Sequence, residues 1–258
     1  MNRTLARTNI SWERQAAEQH FTSVALRYES LRDTDHDALL LIRTRLPDRP
    51  LVGVDIGAGT GRYTQLLRRV LPDRSWVLAA DRSHAMLASC GASAAQREAV
   101  LRCEAEQLPL VDRSVDFVTS FNAVHHFDLE RFTREVARVL RPGGHLFVYT
   151  RTPEQNAESI WGRAFPGFLS HESRLQDETT LERVFGRLGA VEMTSFVFPR
   201  RATAARLAER VRGGAYSTFG RYRADELEEA LTCFLEHLDG GDVEWNDHNL
   251  LVHVQRPR

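Results

Sequence analysis

Asp55, Gly57, Gly59 and Gly61 stand in the order D-x-G-x-G-x-G within LVGVDIGAGTG, residues 51–61. Glycines at alternate positions make a tight turn in which a ligand reaches bare backbone, and the aspartate ahead of them suits an ammonium and repels a phosphate. About twenty residues past that turn, Asp81 closes a second apolar run, where a carboxylate can accept both hydroxyls of a ribose. The same carboxylate can also cap the next helix, and the two roles are compatible. Further along stand two acids, Glu104 and Glu106, and an adjacent pair of histidines, His125 and His126. A near-neutral imidazole is suited to removing a proton from a phenol, an alcohol or an ammonium.

These residues need a scaffold that brings loop ends together, and the hydrophobic pattern supplies one. Leu51 to Ile56 reads as a buried parallel strand, and Leu66, Leu67, Val70 and Leu71 mark one face of the helix after the glycine turn. Strands are expected at Trp76–Ala80, Val100–Cys103 and 114–121, and a helix over 129–140 with Leu129, Phe132, Val136 and Val139 on one face. In RPGGHLFVYT the proline and glycines stop that helix and start a fifth strand. A helix over Thr179–Leu188 and strands over Val191–Phe198 and Asn249–Gln255 complete the pattern. In such a doubly wound sheet ligands bind at the carboxyl edge, where the glycine turn, Asp81 and NAVHHFD all fall.

A nicotinamide or flavin fold also places glycines between its first strand and helix, but its fingerprint is G-x-G-x-x-G, with a pyrophosphate on the helix N-terminus. The spacing here, preceded by an acid, resembles motif I of the class I methyltransferases that use S-adenosylmethionine, whose zwitterionic amino acid tail replaces the pyrophosphate. FTSVALRYESLRD is similar to the A-x-x-Y-D-x-x-R segment ahead of motif I in small-molecule methyltransferases. Tyr28 and Arg32 match, while Glu29 replaces the usual aspartate; the resemblance implies that Tyr28 closes over the cofactor, and an amphipathic helix with a buried tyrosine is the alternative. EAEQLPL is similar to G-D-A-x-x-L-P-F, whose acid accepts from the adenine amino group, which leaves Glu104 and Glu106 both open for that contact. RVLRPGG is again family-like. The resemblance, to the type 11, ubiquinone-biosynthesis-like branch, covers residues 20–150 well and the rest in outline. It implies an α/β, Rossmann-like doubly wound seven-stranded sheet in the order 3-2-1-4-5-7-6, the seventh strand antiparallel, with helical lid insertions. It also implies S-adenosylmethionine as cofactor and S-adenosylhomocysteine as product, with Ala58, Arg82, Met86, Ala105, Phe121 and Asn122 joining the cofactor site beside the residues named above.

The histidine pair admits three readings. Neighbours rarely ligate one metal ion well, and no nearby carboxylate or cysteine completes a set, so no metal is expected. They can be packed core histidines. They can also serve as a base at the methyl acceptor: related O-methyltransferases with an L-H-H segment imply the first histidine, His125, with His126 packing or facing the cofactor.

Composition sets the outer bounds. A chain of 258 residues with 42% hydrophobic content supports one domain with an elaboration: a helical cap over 1–48, a cofactor-binding core over 49–150, and acceptor-lid insertions at 151–178 and 199–247. Trp12, Ala16, Phe21 and Val24 give helical recurrence in the cap, and Leu39, Leu40, Ile42 and Leu46 a second apolar patch. All 34 basic residues are arginine, against 35 acids, so no global field draws the protein to nucleic acid or an anionic membrane, and lysine chemistry is excluded. Cys90, Cys103 and Cys233 are widely spaced and read as reduced thiols. No signal-peptide core or membrane span is evident, so a cytoplasmic enzyme is expected. Trp161, Phe165, Pro166, Phe168 and His171 suggest an aromatic lid over a neutral crevice, suited to a small metabolite of secondary metabolism. Arg210, Arg212, Arg221 and Arg223 could hold an acidic group but read better as solvated. The expected activity is O- or N-methylation of a small molecule. A silent cofactor-binding partner protein and a nicotinamide oxidoreductase are the alternatives; oligomeric state is not legible.

Overall fold

The structure is a computed structural model that describes residues 20–25, 27–90, 99–238 and 241–258; Trp12 and Ala16 of the expected cap lie outside them. Its seven strands are β1 Val52–Ile56, β2 Trp76–Asp81, β3 Val100–Arg102, β4 Val115–Phe121, β5 Leu140–Thr150, β6 Val191–Thr203 and β7 Asp242–Gln255. They form one sheet in the order 3-2-1-4-5-7-6, as the family resemblance implies. The first five strands pair parallel, and β7 runs antiparallel between β5 and β6. The order reverses at β1 and β4, which opens a crevice at their carboxyl ends.

The helices are α1 Tyr28–Leu31, α2 Asp37–Arg45, α3 Arg62–Val70, α4 His84–Cys90, α5 Leu129–Val139, α6 Pro153–Glu158, α7 Ile160–Ala164, α8 Phe168–His171, α9 Glu178–Phe185, α10 Ala204–Arg212 and α11 Ala224–His237. Alternation along each strand divides the core into two faces. Val54, Val118 and Leu146 pack with Phe132 and Val136 of α5 and Val184 and Phe185 of α9. On the opposite face, Val77, Phe117 and Phe147 meet Leu39 and Ile42 of α2 and Tyr63 and Leu67 of α3. Gly53 makes that second face possible, because a Cβ there would fall 2.1 Å from Cζ of Phe117. Helix α2 therefore packs as a layer on the sheet, and Leu40, read as part of its apolar patch, is 56% exposed.

Two strand boundaries differ from the sequence reading. Residues 199–203 and 242–247, assigned to an insertion, instead prolong β6 and β7 as a paired ribbon from Val191↔Val254 to Thr203↔Asp242. The turn in RPGG lies inside β5, which begins at Leu140 against Val115 and shifts register before Phe117 pairs His145. The second insertion thus amounts to α10, α11 and the loop between them. It joins α7 and α8 around one separate core, in which Trp161, Phe165, Phe168, Leu207, Phe219 and Phe234 are buried. The two insertions are distant in sequence but fold as one roof. Among the described residues no helix is long and apolar enough to cross a membrane.

Candidate functional site

Gly57, Gly59 and Gly61 adopt φ angles of 71°, 60° and 80°, the left-handed region that glycine occupies without a steric cost. At Gly57 a Cβ would also fall 2.4 Å from Cβ of Ala123, so the loop closes directly on the end of β4. The loop's donors turn inward: the N–H groups of Gly57 and Ala58 donate to the Ala80 carbonyl at 2.8 and 3.0 Å, and that of Gly61 donates to the Ala58 carbonyl at 3.0 Å. The Gly59 N–H donates to Oδ2 of Asp81 at 2.8 Å. A pyrophosphate would find these donors already committed, which disfavours a dinucleotide. What the loop offers a ligand is bare surface.

Asp81 fixes that surface to the tip of β2. Its Oδ1 accepts the Ser83 N–H at 2.8 Å, so each carboxylate oxygen holds one backbone donor and keeps capacity for another. Burial raises its pKa. Asp55 is more deeply enclosed, accepting the Thr64 hydroxyl at 2.6 Å and the Thr119 hydroxyl at 3.0 Å. Burial lifts its pKa from 3.8 to about 7, the two hydroxyl bonds opposing and Asp81 adding to the rise. A cation placed beside Asp55 would relieve that strain, which is the physical fit for an amino acid ammonium.

These groups open onto one cavity of about 590 Å³. It is lined by Tyr28, Asp55, Gly57, Ala58, Gly59, Asp81, Arg82, Met86, Glu104, Ala105, Glu106, Phe121, Asn122, His125 and His126. Gly61 is the one expected site residue that does not line it; a Cβ there would fall 2.2 Å from Sγ of Cys90, so this glycine serves helix packing. Glu106 accepts the Asp128 N–H at 2.8 Å through Oε1, which ties it to the start of α5. Asn122 sits at φ 53°, an uncommon position for a residue with a side chain, at the junction of β4 and the cavity. Phe21, Arg62 and Arg174 also line the cavity and were not singled out as site residues from the sequence. Arg62 directly follows the glycine motif and was legible there; Arg174 comes from the first insertion, where no local pattern marks it.

A smaller void of about 50 Å³ adjoins the cavity at His125, between the sheet and the roof. His126 is pinned at its edge: Nδ1 lies 3.3 Å from the Arg174 guanidinium and Nε2 lies 3.4 Å from the Ser217 hydroxyl. Arginine can only donate, so Nδ1 accepts and Nε2 carries the proton. The Glu172 carboxylate pairs with Arg174 at 2.5 Å and accepts the Thr218 hydroxyl at 2.5 Å. His125 has a buried Nδ1 without a hydrogen-bond partner. Burial, then the charges of Arg174, Arg32 and Arg151, lowers its pKa well below 6.5, so it is a neutral imidazole at neutral pH.

Of the expected lid aromatics, Trp161 and Phe165 lie in the roof's own core, while Phe168 lies in that core and also lines the smaller void together with Arg32, Arg151, Glu172, Tyr216, Ser217 and Thr218. The four arginines read as solvated also part company. Arg210 is 7% exposed and pairs with Asp33 at 2.8 Å, Arg212 pairs with Glu228 and Arg223 with Asp225, while Arg221 lines the large cavity.

Residues 54–148 match the family model described as a methyltransferase domain. An uncharacterized methyltransferase of Mycobacterium tuberculosis is 36% identical over 151 residues, covering 57% of this chain and 59% of that protein. The chain thus matches about three fifths of that relative's length. A tRNA (carboxymethyluridine(34)-5-O)-methyltransferase of Mus musculus is 29% identical over 150 residues, covering 57% of this chain and 21% of that protein. Among solved structures, a putative methyltransferase from an antibiotic biosynthesis pathway of Anabaena variabilis superposes with a TM-score of 0.71. It is 23% identical and covers 87% of this chain and 98% of its own, a likeness of fold. The sheet order, the inward-turned glycine loop, and Asp55 and Asp81 at the ends of β1 and β2 agree with the match of residues 54–148 to a methyltransferase domain, a family whose cofactor is S-adenosylmethionine.

Proposed function

We propose that the chain transfers the methyl group of S-adenosylmethionine to oxygen or nitrogen of a small-molecule acceptor. The observation that carries this reading is the continuity of the site: one cavity runs from Asp81 and Glu104 past the glycine loop to His125, where the roof closes over it. S-adenosylmethionine supplies an activated methyl group when bound. In this reading Asp81 holds the ribose, Glu104 the adenine amino group and Asp55 the ammonium, while Arg62 and Arg32 supply the cations that a carboxylate tail requires. His125, neutral and facing both voids, can take the acceptor's proton. Its lowered pKa makes it a weak base, so alignment does most of the work: roughly 7–11 kcal/mol is available from positioning, against about 10²–10⁴ in rate from a positioned base.

The roof supports a small acceptor over a tRNA. Arg174, Ser217 and His126 join the insertions to the core by hydrogen bonds, and the roof lies outside the stretch shared with the family model. Calorimetry with S-adenosylmethionine and S-adenosylhomocysteine, with NADH as control, tests the cofactor, and labelled methyl transfer to an acceptor panel tests the reaction. Binding of the adenosyl compounds alone, followed by transfer to a small molecule, is expected. Cofactor binding without any transfer would favour the silent binding protein, and NADH binding would revive the oxidoreductase.

A further inference from the structure

Arg32, Arg62, Arg131 and Arg151 line the joined voids without a carboxylate partner within ion-pair distance among the described residues. Arg62, beside the glycine loop, donates to the Asp33 carbonyl at 2.9 Å. Arg32 donates to the Ala215 carbonyl at 3.0 Å and stands 4.3 Å from the Tyr216 ring centroid. Arg151 leads out of β5, stands 5.9 Å from the same ring, and uses Nη2 to reach Oδ1 of Asn249 at 3.3 Å. Its Nη1 is buried and makes no hydrogen bond.

That orphaned nitrogen is expensive, because a buried donor left without a partner pays its full desolvation cost, and a charged one pays more. Arg174 does not share the problem, since Glu172 neutralises it and Ser217 and His126 take its remaining donors. The charge balance sharpens the point. S-adenosylmethionine carries an ammonium, a sulfonium and a single carboxylate. Arg62 and Arg32, which line the large cavity, suffice for that carboxylate, and Arg151 lines only the smaller void. A cationic donor moiety beside an uncompensated guanidinium calls for an anion on the other reactant. The void of about 50 Å³ exceeds the roughly 10–15 Å³ that one water needs, which suits a carboxylate group rather than a whole molecule.

We propose that the methyl acceptor is a small organic carboxylate, held through that carboxylate by the Arg151 guanidinium beside Tyr216. This rests on the methyl-transfer reading and narrows its acceptor to a chemical class. Planar, forked donors match a carboxylate in two parallel hydrogen bonds, so Arg151 acts on specificity and not on the transferring methyl. Phe21, Phe168 and Tyr216 around the void favour an apolar body behind the acidic group.

The test uses the full chain saturated with S-adenosylhomocysteine and ligand-observed NMR titration with formate, acetate, benzoate and phenylacetate. Benzamide and phenylacetamide serve as uncharged counterparts and inorganic phosphate as a third arm. At least one carboxylate should bind tenfold or more tightly than its amide. Arg151→Gln should remove that preference while changing S-adenosylhomocysteine affinity less than twofold, and Arg151→Lys should keep part of it. Equal binding of acids and amides, no carboxylate binding, binding of phosphate alone, or a preference that survives in folded Arg151→Gln would each overturn the proposal. Failure of S-adenosylhomocysteine to bind would instead refute the methyl-transfer reading, and the same titrations on the unloaded chain still report on Arg151.

Discussion

Replacing Asp55 with asparagine should stabilise the protein and damage it functionally at the same time. In the folded chain the Asp55 carboxyl is pushed from 3.8 to about 7 by burial. That displacement corresponds to ~4 kcal/mol between its protonation states, a ceiling on what ionising it costs the fold. Because the folded value is raised, the stability this group confers is full below the unfolded value and is lost as pH rises to about 7. Asparagine has no such loss, but its single carbonyl oxygen forces one of the Thr64 and Thr119 hydroxyls to turn from donor to acceptor, at about 1 kcal/mol. The net gain at pH 8 is up to ~3 kcal/mol, or roughly 6–12 °C in Tm for a domain of this size. At pH 5 wild-type Asp55 is itself protonated, and the two melting temperatures should converge. The same variant loses the charge proposed to face the cofactor ammonium, so S-adenosylmethionine should bind at least tenfold more weakly at pH 8. Thermal melts at both pH values and calorimetry in buffers of different ionisation enthalpy read all of this. Wild type should release a proton on binding S-adenosylmethionine near pH 6.5, and Asp55→Asn should not. A variant that is equally destabilised at pH 5 and pH 8, with cofactor affinity intact, would refute the argument.

Other parts of the site can be probed one at a time. Asp81→Ala removes the Gly59 tether as well as the proposed ribose acceptor, so calorimetry should show S-adenosylmethionine binding weakened a hundredfold or more, against an unchanged affinity if Asp81 merely caps α4. His125→Ala should lower kcat by about 10²-fold or less with cofactor affinity nearly kept, since positioning dominates. For the same reason the kcat profile should show no inflection near 6.5, the imidazole being neutral well below that value, whereas kcat/KM for S-adenosylmethionine should rise with pH through about 7 as Asp55 ionises. Trp161→Ala opens a hole in the roof's core and should cost ~3–5 kcal/mol in a denaturant titration. Activity should fall before the sheet domain unfolds.

Much of this protein is set locally, and those parts were readable from the chain. The D-x-G-x-G-x-G spacing fixes three left-handed glycines between a strand and a helix, because only that residue type adopts those angles without a clash. The alternating and continuous apolar runs specify which segments become strands, and the resemblance carried their order. Asp81 was legible from its place at the end of β2, where the pleat and the loop connection leave few positions for a side chain. The strand ribbon of residues 199–203 and 242–247 was not: only Ala202, Val243 and Trp245 give it an apolar face, against the roof's core, and so short an alternation among charged residues does not mark a strand by itself.

The acceptor end belongs to tertiary structure. Nothing local distinguishes Trp161, Phe165 and Phe168 facing a ligand from the same residues facing Phe219 and Phe234, and only the meeting of two insertions across β6 buries them together. The arginines make the same point with charge. Arg210 and Arg151 look alike in sequence, yet Asp33 meets one while Nη1 of the other is left without a partner beside Tyr216. Whether a charge is spent depends on carboxylates far away in sequence, as in the Asp33–Arg210 pair, and so is decided only when the chain closes. The sequence by itself determined the sheet, its glycine turn and the aspartate buried ahead of that turn. Packing decided that Trp161 and Phe165 go to the roof's core and that unpaired arginines stand beside the aromatics of the inner chamber, because burial and pairing are properties of neighbours in space.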